Sequence, residues 1–234
     1  MRMEVLMPDS NPDSTLNIRG LILVPAVVTL GITLLRLAGE LLHWSPQFFT
    51  AAAGGAAPGR FPAIVGISWL PILFGPYFAV KLARAGHGAS SVWKTFGLSL
   101  LGLAIMVAGG FVGFAPVLKF PGREILGILL MVLGPTLVML GWPALFKTLV
   151  AYGYAARIPV AIVMFFALRG QWGTHYDALP PNYPGPTSFV GKYMFVAFLP
   201  QMVLWIAFTV LVGAIVGTIV TALVCRGKTG ATAS

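Results

Sequence analysis

The 33 residues 193–225 contain no Asp, Glu, Lys or Arg, and four more long apolar blocks precede them. A helix crosses the roughly 30 Å of hydrocarbon with about 20 mostly apolar residues. The charge-free windows 61–80, 95–118 and 125–146 all reach that length. In lipid a backbone must satisfy its own polar groups, which leaves helices or closed barrels, and runs this long and uniformly apolar belong to helices. The chain therefore reads as an all-α, polytopic membrane helical bundle.

Composition agrees and narrows the partners. Only 9% of the 234 residues are charged, against 58% hydrophobic, where soluble domains carry roughly 25% charged residues. The net charge of +9 comes from basic residues placed singly at the ends of apolar blocks, the pattern of membrane-flank charges. Nucleic-acid binding needs clustered Lys and Arg, and the densest group is Lys81, Arg84 and Lys94. Nucleic acid is excluded as a partner; the lipid bilayer is the expected one. With Cys225 as the only cysteine, an intrachain disulfide, a CxxC pair or a thiolate metal cage cannot form.

The expected organisation is a polar tail at 1–17, a transmembrane bundle at 18–225 and a disordered basic tail at 226–234. The tail carries Glu4, Pro8, Asp9, Pro12 and Asp13 without an apolar run, so no cleaved leader is expected, and a bacterial inner membrane fits. Spans are expected at 21–42, 61–80, 93–118, 125–146 and near 202–223. The stretch 45–60, with AAAGGAAPG, reads as a flexible connection.

After the fourth span, Lys147, Arg157 and Arg169 leave charge-free gaps of nine and eleven residues. At 1.5 Å per residue neither gap crosses a bilayer. A fifth crossing must carry Arg157 near its middle, carry Arg169 well inside it, or be re-entrant. Six spans are expected, with five plus a re-entrant segment as the alternative. An arginine at such depth is a functional candidate in its own right.

Orientation follows from the enrichment of Lys and Arg on cytoplasmic loops. With six spans and the N-terminus inside, nine basic residues fall inside (Arg2, Arg19, Lys81, Arg84, Lys94, Lys147, Arg157, Arg226, Lys228). Five fall outside (Arg60, Lys119, Arg123, Arg169, Lys192). The N-terminus is expected in the cytoplasm; the five-span alternative returns the same nine against five, and it is the long final helix with its short basic tail that places the C-terminus there too.

The acids beyond the tail, Glu40, Glu124 and Asp177, then share the outer face with His43 and His175. Beside them runs RGQWGTHYDALPPNYPGP, from Arg169 to Pro186. Imidazole and carboxylate suit acid/base work or a metal, which makes His175, Asp177 and Glu124 the catalytic candidates. His175 and Asp177, as an HxD pair, are the only metal-ligand candidates. No cofactor is expected. Binding candidates are Arg157, Arg169, Arg36, Glu40, His43, Trp172 and Tyr176. The plain reading of the same loop is a hydrated, interface-seeking segment. Arg36 and Glu40 share a helical face and could hold a polar group or simply reach the interface. Lys147, Ala151, Tyr154 and Arg157 follow helical spacing, which could line a cavity or mark an amphipathic turn on the cytoplasmic surface before a helix opened by Pro159.

Gly109 with Gly113, and Gly213 with Gly217, form GxxxG pairs that allow close helix approach, within the chain or toward a second copy or other membrane subunits. Pro71, Pro76, Pro135 and Pro143 interrupt the second and fourth spans, as in transporters with broken helices. No phosphate loop, GxGxxG, HExxH, GxSxG or CxxC is present, which removes the usual support for ATP-driven, dinucleotide and zincin chemistry. The leading expectation is a non-enzymatic bundle that binds or transports a small or lipid-like molecule, or serves as an accessory membrane subunit. The alternative is a membrane-embedded enzyme with an outer-face His/carboxylate site acting on a lipid or headgroup.

Overall fold

The computed structural model of the protein describes residues 16–52, 65–180, 183 and 185–225. The tails beyond Leu16 and Cys225, and most of the AAAGGAAPG connection, lie outside these residues. Among the described residues the chain is all-α: a helical membrane bundle without strands. The helices are α1 (Ile18–Leu41), α2 (Leu70–Arg84), α3 (Val92–Phe114), α4 (Arg123–Thr136) and α5 (Pro143–Gly170). A last rod opens with α6 (Phe189–Lys192), passes through two π-helical segments (Tyr193–Phe198 and Pro200–Leu204) and closes as α7 (Trp205–Cys225).

Five of these rods are long and apolar enough to cross a bilayer. The sixth, α2, has 15 residues and reaches only about 22 Å. Pro71, expected to interrupt this span, sits instead in its first turn, where a missing N–H leaves no bond unmade.

The difficulty around Arg157 dissolves in the position of one turn. The fourth span ends early: after Pro135 the α-helix tightens into a 3₁₀ turn, Leu137–Leu140, and the chain turns at Gly141 and Trp142. Pro143 then opens α5, which runs unbroken for 28 residues, about 42 Å. Lys147 belongs to the start of this helix, not to the end of the previous one. Arg157 lies at its middle and Pro159 inside it. The re-entrant alternative and the surface-lying turn are both overturned, and so is the expected stripe, since Lys147 and Tyr154 are exposed while Arg157 is buried.

Glycine faces set the packing. A methyl on Gly109 would lie 2.7 Å from the carbonyl oxygen of Gly127, and one on Gly127 would run into the backbone of Gly113, so α3 and α4 touch along their backbones. Gly213 and Gly217 meet Gly75 in the same way, joining α7 to α2. Both GxxxG pairs are thus consumed inside the chain. The core between these helices holds Phe78, Trp142, Leu145, Leu149, Tyr152 and Leu211.

At the end where α1 begins, the indole of Trp142 donates to the His87 carbonyl (2.7 Å) and Ser90 to that of Gly141 (3.3 Å). At the opposite, far end the loop after α5 returns onto α1 through His175 and Tyr176. There α1 packs on α5 and the loop but barely touches α2, and a space opens beside it.

Candidate functional site

The far end is organised by Glu40. It closes α1 one turn after Arg36, whose Nε donates to Oε1 at 2.8 Å. The side chain of Glu40 has no exposed surface, so the pair is turned into the bundle and does not reach for the interface. The other partner of Glu40 comes from the loop. The backbone N–H of His175 donates to Oε2 at 2.8 Å, and the ring Nδ1 lies 2.6 Å from Oε1 and 2.8 Å from Oε2. A carboxylate can only accept these bonds, so the neutral ring carries its proton on Nδ1 and leaves Nε2 with a lone pair. Burial holds the His175 imidazole below its ordinary pKa, with the Glu40 hydrogen bond opposing and the Arg36 charge assisting the shift. The next residue, Tyr176, is 4% exposed, and its hydroxyl donates to the Thr33 carbonyl at 3.2 Å. Burial pushes that hydroxyl well above the usual phenol range.

Asp177 does different work. Its carboxylate accepts from the backbone N–H groups of Gly173 (2.9 Å) and Thr174 (2.8 Å) and from the Thr174 hydroxyl (2.7 Å). These bonds tie a turn that begins at Gln171 and Gly173, both at positive φ. The HxD pair is therefore engaged by separate partners and does not converge as a metal or acid/base couple. Among the described residues no group of three or more His, Cys, Asp or Glu side chains is placed to hold a metal.

The other candidates scatter. Glu124 is exposed on the first turn of α4, 3.0 Å from Arg123 Nε; Arg123 also donates to the carbonyls of Ala115 and Leu118. His43 is exposed just past α1 at φ 52°. Arg169 and Trp172 are exposed where α5 gives way to the loop. Of the expected outer-face cluster only Glu40 and His175 come together, joined by the binding candidates Arg36 and Tyr176.

Deeper in the bundle is Arg157, 4% exposed and about 20 Å from either end of α5. Its guanidinium stacks on Trp205, with Cζ 4.6 Å from the ring centroid. Nη1 donates to Gln201 Oε1 across a long 3.4 Å, and Nε has no hydrogen-bond partner among the described residues. Gln201 is itself 7% exposed and donates to Met164 Sδ at 3.5 Å. It sits in the second π-helical segment directly after Pro200. Pro200 has no N–H to give the preceding turn, and wide turns of this kind are frequent at functional sites.

One cavity of about 350 Å³ joins the two levels. Thr33 and Arg36 line it from α1, Arg157 and Met164 from α5, His175 and Tyr176 from the loop, and Gln201 with Trp205 from the last rod. Apolar wall comes from Ile32, Ile67, Val160, Phe195 and Val196. The hydroxyl of Tyr183, also on the wall, is buried without a partner among the described residues.

Sequence reasoning did not single out Gln201, Trp205, Thr33 or Tyr183. A signal existed for the first: Gln201 is the one amide side chain within residues 193–225. No family model matches the chain, and neither the curated proteins nor the solved structures contain a match to it.

Proposed function

We propose that this membrane protein binds an anionic small molecule, or the anionic head of a lipid-like one, in the cavity between α1, α5 and the last rod. One observation carries the reading: a guanidinium buried at the middle of the bilayer-length α5, with no carboxylate paired to it and one N–H without an acceptor among the described residues. Isolated buried charge is expensive. The three acids among the described residues are committed elsewhere, Glu40 to Arg36 and His175, Glu124 to Arg123, and Asp177 to its own turn. An anion is the chemistry that would complete Arg157, helped by the Tyr183 hydroxyl. The apolar walls favour an organic body over a bare inorganic ion, and about 350 Å³ is at the small end of ligand sites.

Hexanesulfonate, whose charge is fixed at all working pH values, is the probe. Titrated into the protein in uncharged nanodiscs, it is expected to quench tryptophan fluorescence through Trp205. The Arg157→Gln variant should weaken binding about 10- to 100-fold, the worth of a charge-assisted hydrogen bond. Equal affinity in the variant refutes the assignment. Doping the discs with phosphatidic acid distinguishes the sources: competition favours a lipid headgroup, and its absence a free organic anion. Flux of the bound anion into liposomes would extend the reading to transport, whereas stable co-purification with other membrane proteins without flux would favour an accessory subunit. Basic-residue bias supports a cytoplasmic N-terminus, and six helices would then bring the C-terminus to the same side, so that the cavity opens toward the outer leaflet.

A second reading, an enzyme acting on a lipid headgroup, is favoured by the Glu40–His175 pair alone. His175, oriented by Glu40, would be its acid/base group, without Asp177 or Glu124. Turnover of a phospholipid headgroup lost in His175→Gln would support it.

A further inference from the structure

We propose that the cavity binds its anion together with one proton, taken by Nε2 of His175 while Nδ1–H stays bonded to Glu40. The inference rests on the anion-binding reading above and adds the identity of the coupled ion.

The geometry argues for it in three steps. First, His175 is held in one tautomer. Glu40 accepts from both its backbone N–H and Nδ1, and Arg36 fixes the carboxylate from the other side, so the free lone pair belongs to a ring already on the cavity wall.

Second, the charges around that ring balance until a ligand arrives. Arg36 and Glu40 of α1 form a neutral pair. In the loop, Tyr176 is uncharged, and Asp177, tied into its own turn, sets a negative charge near the ring that favours its protonated form. From the last rod comes only the uncharged Gln201. On α5, lining the same cavity as His175 and Tyr176, stands Arg157. In this setting burial keeps the imidazole neutral. An anion on Arg157 cancels the only unpaired positive charge facing the ring and adds a negative one, which favours imidazolium.

Third, an anion and a proton together carry no net charge. Their joint entry adds no charge to the low-dielectric interior and does no work against a membrane potential. No bond other than N–H is made: the proton comes from water and returns to it on release.

The test uses the unmodified protein in uncharged nanodiscs and hexanesulfonate, which cannot itself supply or take up a proton. In weakly buffered solution, ligand addition is expected to make the medium more alkaline, by up to one proton per bound anion. Affinity should tighten as pH falls from 8 to 6, approaching about tenfold per pH unit where the free ring is neutral and the bound ring charged. Methanesulfonate, the head without the body, should show the same sign more weakly. In His175→Gln the proton uptake and the slope should both vanish, while His87→Gln, at the other end of the bundle, should keep them.

Binding with no alkalinisation and a flat pH profile overturns proton coupling and leaves the anion site standing. Uptake that survives in His175→Gln overturns the assignment to this ring. Failure of hexanesulfonate to bind at any pH overturns both readings.

Discussion

Two buried arginines share one cavity wall, and they differ in what they do for the fold. Arg36 has Glu40 at 2.8 Å, and that carboxylate also pins the loop through His175, so it joins residues 135 positions apart in the chain. Arg157 has a ring and one long amide contact. Removing one member of a buried pair strands the other charge, at about 3–5 kcal/mol. Replacing a charge that has no partner by an apolar side chain relieves a desolvation cost. In thermal unfolding of the ligand-free protein, Glu40→Gln should therefore lower the midpoint sharply, whereas Arg157→Met should raise it by the equivalent of about 1–3 kcal/mol. A fall for Arg157→Met would mean that the guanidinium is satisfied within the fold, and the anion site would lose its main support. Much of this was legible at residue scale. The gaps between Lys147, Arg157 and Arg169 already required Arg157 or Arg169 at unusual depth or a segment that turns back, and the four-residue spacing of Arg36 and Glu40 announced their pair. The convergence with His175 was not legible, because no local pattern reports a contact across 135 residues. Asp177 misled for the opposite reason: its partners are three and four residues away, and a turn-capping carboxylate has the same sequence appearance as a ligand.

Among the elements, the fourth and fifth helices show where reading apolar windows fails. The window 125–146 is continuous in hydropathy, yet it contains the end of α4, a 3₁₀ turn and the start of α5. Hydropathy measures solvent and not direction, so a turn made of Leu, Gly and Trp inside an apolar run leaves no mark in it. The prolines did carry the information, Pro143 as a first-turn residue and Pro135 just before the tightening, but a proline inside a span and one opening a new span look alike. The glycines were clearer, and the structure makes their role specific. Gly75 backs directly onto Gly213 and Gly217, whereas Gly31 on α1 has open space where a side chain would go. Gly75→Val should separate α2 from α7 and cost about 1–3 kcal/mol or more, as overpacking does, seen as a lower unfolding midpoint. Gly31→Val should leave it within the scatter of ordinary surface changes, about 0.5 kcal/mol. If the two variants behaved alike, the backbone-to-backbone contact of α2 with α7 would be wrong.

At the scale of the whole molecule, everything proposed for the cavity depends on which side of the bilayer its mouth faces. Connectivity joins the ends: residues 171–180 and the end of α1 lie together, as do the turns at 85–91 and 141–142. Moving Arg157 from a cytoplasmic loop to the middle of a helix reduces the inner basic set from nine residues to eight, against five outside, so the charge bias keeps its sign. Lys81, Arg84, Lys94 and Lys147 all gather at the end where α1 begins, and exposed cationic groups there would meet an anionic cytoplasmic leaflet favourably. Two exposed positions report the two faces, Leu179 in the loop over the cavity and Gly88 in the opposite turn. In a Cys225→Ser background, Leu179→Cys should react with a membrane-impermeant maleimide added to intact cells, and Gly88→Cys only after the membrane is opened. The reverse pattern would turn the cavity toward the cytoplasm, and the partner anion and proton would then have to be sought among cytosolic metabolites instead of outside the cell.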